Sequence, residues 1–228
     1  MVFWNFGFRF ACLLIGYVLG NFQTSYILGR TVKKIDIRDH GSGSAGMTNS
    51  LRVMGKKFAV VVLLADVAKA FGAFVLCAFI FGGDFSFFSF ASDSTIQSVA
   101  QNPWLPGMYG AMGAILGHMF PVYMKFRGGK SIACGIGMIL ALNWLMASII
   151  IGASMVVIIL FKYISAASLF SLILLPVALA VFGFSMEIIG LGYCVTVLIA
   201  FKHKSNIKRL LNGNENRLGR KSNNLPPA

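Results

Sequence analysis

Charge is scarce in this chain of 228 residues: 12% of them are Asp, Glu, Lys or Arg, about half the share found in a soluble domain. Acidic side chains are scarcer still, seven in all, and no two stand together in the polar stretches. That argues against the paired carboxylates of glycoside hydrolysis and against two-metal chemistry. There are three histidines, and the positions five residues after them hold Ala45, Tyr123 and Lys208. A His-x4-Asp transferase is thereby excluded. The four cysteines, Cys12, Cys77, Cys134 and Cys194, each lie in an apolar run at no metal-binding spacing. They predict small buried side chains, with no disulfide framework and no metal site. The first residues lack both a basic start and a clear small-residue cleavage site, so Met1 to Leu28 is expected to be a retained span rather than a signal peptide.

Hydrocarbon is abundant. The chain is 57% hydrophobic with a mean hydropathy of +0.77, which predicts an all-α polytopic membrane protein. A net charge of +13 would suggest nucleic acid in a soluble protein. Its distribution excludes that partner here: seven of the 20 Lys and Arg lie between Arg30 and Lys57, three between Lys125 and Lys130, and seven between Lys202 and Lys221. With only Arg9, Lys69 and Lys162 outside them, these clusters in loops and tail place the three blocks in the cytoplasm, facing anionic membrane lipids.

The expected order of elements follows. A first span, interrupted by Asn21, Gln23 and Thr24, leads to a basic loop at 30–57. A second span, Phe58 to Phe81, carries Asp66 and Lys69 one turn apart, able to pair. The stretch from Gly82 to Pro106 is free of basic residues and predicts an outer loop, with Asp84 and Asp93 in it and Phe85, Phe87, Phe88, Phe90 and Trp104 as interfacial anchors. A third span from about Gly107 to Met124 returns to the loop at 125–131. Parity and the position of Lys162 favour four short spans between Ser131 and Phe201, hence seven crossings in all, with five as the alternative. The N-terminus is then outside and the C-terminus cytoplasmic. Residues 1–201 form one membrane-embedded helical domain, and 202–228 a basic cytoplasmic segment whose end, Lys221 to Ala228, is expected to be disordered.

Against this apolar background three polar blocks stand out. The first, His40 to Lys57, brings four glycines together with Ser42, Ser44, Thr48, Asn49, Ser50, Arg52, Lys56 and Lys57. Close backbone approach, hydroxyl donors and a forked cation are what a phosphate needs; an ordinary loop beside lipid headgroups is the plainer reading. The second, Gly117 to Ser131, places Gly128 and Gly129 before Lys130 and Ser131 at a helix start, an anion site through N–H groups and dipole. His118 in the same block could equally serve only to hydrogen-bond a neighbouring helix. In the third, His203 to Glu215, His203 and Asn206 share a helix face, and the whole block also fits a basic amphipathic helix lying on the membrane. Gly41, Gly43 and Gly46 satisfy G-x-G-x-x-G, but no strand precedes them, which rules out a dinucleotide fold. Gly129-Lys130-Ser131 ends like a Walker loop, yet Met124 stands where its first glycine belongs.

In order and spacing the three blocks resemble the motifs of the bacterial acyl-phosphate:glycerol-3-phosphate acyltransferases. G-S-G-S-A-G-M-T-N-S-L-R is similar to the first motif, G-H-M-F-P-V-Y-M-K-F-R-G-G-K-S-I-A-C to the second, and His203 to Glu215 fits the third throughout. The departures are Ser44 for Asn, Met47 for Ala, Ser131 for Gly and Cys134 for Thr.

The resemblance implies an integral enzyme of phospholipid synthesis in the bacterial plasma membrane, its active site facing the cytoplasm. It would move a fatty acyl group from acyl phosphate to the 1-hydroxyl of sn-glycerol 3-phosphate, giving lysophosphatidate and inorganic phosphate. No cofactor, coenzyme A or acyl carrier protein is implied. Under this reading Arg52 and Lys130 bind phosphate, with Ser42, Gly43, Asn49, Gly128, Gly129 and Ser131 completing the cradle. His203 and Asn206 orient glycerol 3-phosphate, and Glu215 supports Arg209 or a helix end. The general base is His118, His203 or the phosphate of the donor itself. A transporter or channel for a phosphorylated solute is the alternative on the same residues. It predicts a site at the membrane midplane and an internal repeat, and no repeat is visible.

Overall fold

The computed structural model describes residues 2–82 and 104–218, with side chains from residue 6 onward. The expected anchors Phe85, Phe87, Phe88 and Phe90, the acids Asp84 and Asp93, and the tail from Lys221 lie outside the described residues. Within them the chain is helical and contains no strand. The order is α1 (Val2–Gly20), α2 (Thr24–Thr31), α3 (Met47–Val53), α4 (Lys56–Phe81), α5 (Trp104–Met119), α6 (Ile132–Leu142), α7 (Trp144–Phe161), α8 (Ile164–Val181), α9 (Met186–Lys202) and α10 (Lys204–Leu211).

Four segments are long and apolar enough to cross a membrane: Phe6–Thr31, α4, α7 and α8. A fifth joins them if α9 and α10, bent by 63° at His203, count as one. The polar interruption at Asn21 and Gln23 does divide the first span, into α1 and α2. Trp104, expected as an outer-loop anchor, instead opens α5 and packs on Phe74 with ring centroids 6.3 Å apart. Cys12, Cys77 and Cys134 are buried thiols, whereas Cys194 faces outward from α9, because an apolar exterior accepts it as readily as the core does.

The bundle is assembled on small residues. Gly16 and Gly20 of α1 lie against the backbone of Gly110 and Ala114, while Gly113 and Gly117 of α5 lie against Leu13 and Tyr17. A Cβ at any of these four would strike the partner helix. Lipid tails are as apolar as leucine, so helices in a membrane gain from backbone proximity rather than from hydrophobic burial. Behind this seam the core is filled by Phe74, Met108, Ile115, Met119, Met138 and Met146, all fully buried.

Several polar groups of the bundle are matched across helices. Pro176 sits within α8 and has no N–H for the Leu172 carbonyl. The Thr196 hydroxyl of α9 donates to that oxygen at 3.0 Å. Thr196→Val is expected to lower stability by ~1 kcal/mol, since it orphans a buried carbonyl; a chemical unfolding curve in detergent measures it. At one end of the bundle Arg9 of α1 grips Glu187 of α9 at 2.8 and 3.0 Å, and the Tyr109 hydroxyl of α5 donates to the same carboxylate at 2.8 Å. The three polar blocks gather at the other end.

Candidate active site

The first block is held as a rigid loop. Arg30 and Arg38 clamp Asp36 at 2.8 and 2.7 Å, and these guanidinium hydrogen bonds, Arg38 foremost, hold its carboxyl down at about 2. Arg38 also donates to the Met124 carbonyl, tying the first loop to the second. Asn49, expected as a phosphate ligand, has a different task here. Its Oδ1 accepts the Ser42 N–H at 2.8 Å, and its Nδ2 donates to the carbonyls of Ile37 and His40. A buried amide with these three bonds shapes the loop and has little left for a substrate. Gly43 turns the backbone at φ +70° and lies outside the cavity lining. The Ser42 side chain does face the cavity.

The second block corrects the sequence reading of its glycines. The Gly128 N–H donates to the Met119 carbonyl and the Gly129 N–H to that of His118, so neither is available to an anion. What these positions require is space. A Cβ on Gly128 would meet the His118 backbone, and one on Gly129 would collide with the His118 imidazole and the Ala45 carbonyl. Gly129 is therefore the point where the first and second blocks touch. Ser131, in place of the family's glycine, takes the left-handed conformation at φ +68° and donates its hydroxyl to Ile115 O at 3.2 Å. With Ile132 and Ala133 it brings the N-terminal end of α6 to the cavity wall, where the helix dipole favours an anion.

The third block closes the site. Lys130 Nζ makes a short hydrogen bond to Asn206 Oδ1, joining the second and third blocks. Asn206 Nδ2 donates to Glu215, which also accepts from Arg209 Nε at 2.9 Å. Glu215 thus braces Asn206 and Arg209. His203 donates through Nδ1 to the Ile199 carbonyl at 2.8 Å, which leaves Nε2 as the acceptor of a ring lining the cavity.

Together these residues surround a cavity of about 120 Å³. Ser42, Ser44, Arg52, Lys130, Ser131, His203 and Asn206 line it, and Asp66 and His118 lie in its wall. The Arg52 guanidinium is unpaired among the described residues, and burial pulls its proton affinity down. Lys130 is pushed down to about 8 by burial first, then by the nearby charges of Arg209 and Arg52, with Glu215 opposing. Two desolvated cations with one hydrogen bond between them hold unspent affinity for an anion.

Two features escape the motif reading. Ser165 and Ser168 of α8 also line the cavity, and the Ser165 hydroxyl is buried with no partner among the described residues. Their i, i+3 spacing, continued by Ser171, is the signal that marks one polar stripe on an apolar helix. The other is an apolar groove of about 300 Å³ walled by α6, α7, α8 and α9. It shares Met47, Leu63, Ile132, Ile136, Ile164 and Ser168 with the polar cavity, so the two are continuous.

Asp66, His118 and Cys134 bring metal-ligand atoms within 4.8 Å of one another. Lys69 Nζ, however, already contacts Asp66 and His118 at 2.8 Å each, and its ammonium fills the place of a cation.

The glycerol-3-phosphate acyltransferase family profile matches residues 10–213. The chain is 39% identical over 215 residues to the glycerol-3-phosphate acyltransferase of Shouchella clausii (strain KSM-K16), covering 92% of this chain and 96% of that one. It is 36% identical to that of Synechococcus sp. (strain CC9902), covering 92% and 94%. Among solved structures it is similar to PlsY (YgiH), an integral membrane glycerol 3-phosphate acyltransferase, in its glycerol 3-phosphate form. That similarity has a TM-score of 0.79 at 28% identity, over 92% of this chain and 96% of that one. For the lysophosphatidic acid form the TM-score is 0.76 at 27% identity, over 92% and 95%.

Proposed function

The chain belongs to the glycerol-3-phosphate acyltransferase family, and from that premise we propose how its cavity and groove divide the reaction. The protein is a multi-pass bacterial membrane enzyme that transfers an acyl group to glycerol 3-phosphate in phospholipid synthesis. The transporter reading of the same residues is set aside. The donor is a long-chain acyl phosphate, the acceptor atom is the 1-hydroxyl, and the products are lysophosphatidate and inorganic phosphate. The observation that carries this reading is the continuity of a cation-lined cavity with an apolar groove. An acyl phosphate needs both, its head among cations and its tail in hydrocarbon.

Arg52 and Lys130 hold phosphate, aided by Ser42 and by the N-terminal end of α6, which Ser131 brings to the cavity. His203 Nε2 and Asn206 orient the glycerol hydroxyls. The acyl phosphate is already activated, so fixing the two substrates side by side supplies most of the rate. The hydroxyl attacks the carbonyl carbon, the acyl–oxygen bond to phosphate breaks, and the proton passes to the departing phosphate or to His203. The motif-bearing end carries the basic blocks, which supports an outer N-terminus, a cytoplasmic C-terminus and an active site on the cytoplasmic side of the plasma membrane. Seven crossings need the shorter helices α5, α6 and α9 to span as well, and five is the alternative.

Purified protein given palmitoyl phosphate and glycerol 3-phosphate is expected to release inorganic phosphate and form lysophosphatidate without coenzyme A. Activity confined to palmitoyl-coenzyme A would overturn the donor assignment.

The site also predicts a pH profile. Below about pH 8 the free enzyme holds Lys130 charged; above it, phosphate binding must first return a proton to the amine. The groups facing that amine are Arg52, His203, Asn206, Arg209 and Glu215. The kcat/KM for glycerol 3-phosphate should therefore fall, by up to about tenfold per pH unit, above this limb. Lys130→Arg keeps its charge throughout, so the limb should vanish from its profile.

A further inference from the structure

Of the two paired charges of α4, Asp66 and Lys69, the first lies in the cavity wall, yet the reaction as proposed uses neither. Lys69 makes three contacts on three elements: Asp66 Oδ1 of its own helix at 2.8 Å, the Phe22 carbonyl in the break between α1 and α2 at 2.7 Å, and His118 Nδ1 of α5 at 2.8 Å. The contacts with Phe22 and His118 are hydrogen bonds and the one with Asp66 is an ion pair. The same break supplies further grips on the second block. Gln23, fully buried, donates through Nε2 to the His118 carbonyl at 3.0 Å, and Asn21 Oδ1 accepts the Val122 N–H at 3.0 Å. His118 passes this on. Its carbonyl also takes the Gly129 N–H at 3.0 Å, and its ring packs so closely on Gly129 that no Cβ fits between them. The next residue is Lys130.

We propose that Asp66, Lys69 and Gln23 are positioning residues, which act through His118 to set the Gly128–Gly129 turn and so hold Lys130 over the substrate phosphate. This rests on the role given to Lys130 above. Stability alone does not call for such a cluster, since a buried ion pair replaced by apolar side chains of similar size is often neutral or better. A turn that must present one amine at one place does call for it. The interruption in the first helix gains a purpose on this account: an unbroken α1 would hold the Phe22 carbonyl within its own ladder, together with the Gln23 N–H, which here donates to the Tyr123 hydroxyl at 3.2 Å.

The test is the double variant Asp66→Leu/Lys69→Met, which removes both charges together, compared with wild type. It should retain a wild-type unfolding temperature in detergent. Its KM for glycerol 3-phosphate should rise about tenfold or more, exceeding any fall in kcat. The alkaline limb near pH 8 should move upward as Lys130 swings toward solvent. Gln23→Leu, which removes one neutral hydrogen-bonding group, should shift KM and limb in the same direction by less. A folded double variant with wild-type KM and limb would overturn the proposal. So would a collapse of kcat at fixed KM, which would place Asp66 and His118 at the reacting atoms. Loss of folding in both variants would assign the cluster to stability and equally overturn it. Absence of phosphate release by the wild type would instead remove the reaction scheme on which the proposal rests.

Discussion

Exchanging Lys130 for methionine is expected to lower kcat/KM for glycerol 3-phosphate about a thousandfold, while the protein remains folded. Methionine keeps the length and apolar body of the lysine stem. The loss is therefore that of the charge and of its hydrogen bond to Asn206. Removing one partner of a desolvated, hydrogen-bonded charge contact costs 2–5 kcal/mol, and ~4 kcal/mol is about three decades in rate. The fall should appear in KM as well as kcat, because Lys130 would meet the phosphate in the ground state and in the transition state alike. Arg52 is the second cation of the cavity but has no partner among the described residues to strand, so Arg52→Ala should lose less than Lys130→Met. Measuring both variants over a range of glycerol 3-phosphate concentrations checks the order. Equal kinetics for wild type and Lys130→Met would remove this amine from the site.

The contrast between Lys130 and its neighbours shows what residue type can and cannot convey. Lys130, Arg52, Ser42, His203 and Asn206 are picked out by the three motifs taken together, each block alone also fitting a loop or helix beside the membrane, and the structure brings all five to one cavity. Gly128, Gly129 and Asn49 look equally suited to phosphate. Their donors, however, are committed to Met119, His118, Ile37 and His40, and those partners are set by tertiary contacts that no local pattern contains. Gly129 illustrates the point: a glycine beside a lysine suggests an anion loop, whereas here its missing side chain makes room for an imidazole brought from another helix. Ser165 escapes notice for the opposite reason. A lone serine in an apolar helix ordinarily returns its hydrogen bond to the preceding turn, as Ser168 does to Ile164, and only the fold reveals that Ser165 does not. The element order was easier to infer. Apolar runs bounded by basic loops follow from the medium itself, which is why the all-helical class was legible. The span count was not, since of the helices between Ser131 and Lys202 α7 and α8 are long and apolar enough to cross a membrane while α6 has 11 residues.

The seam between α1 and α5 permits a second test, in which one chemical change has opposite signs at two places. Gly113→Ala adds a single methyl where the Leu13 carbonyl and the Tyr17 backbone already fill the space. The atoms that would have to yield are backbone, so the helices must part. Overpacking of this kind costs ~3 kcal/mol, a large share of the stability of a small bundle. Gly72→Ala adds the same methyl to α4 at a position with nothing within 4 Å. There the only consequence is to restrict the unfolded backbone and favour the helix, a gain of about 0.5–1 kcal/mol. Unfolding temperatures in one detergent should therefore fall for Gly113→Ala and rise slightly for Gly72→Ala. The consequences should extend to the site, since Tyr17, Asn21 and Gln23 reach the second block from the far end of this seam through Phe120, Val122 and His118. Parting α1 from α5 would loosen the turn before Lys130, so Gly113→Ala should also raise KM for glycerol 3-phosphate well below its unfolding temperature, while Gly72→Ala leaves it unchanged. A Gly113→Ala protein as stable as wild type would show that α1 and α5 are not held by backbone proximity.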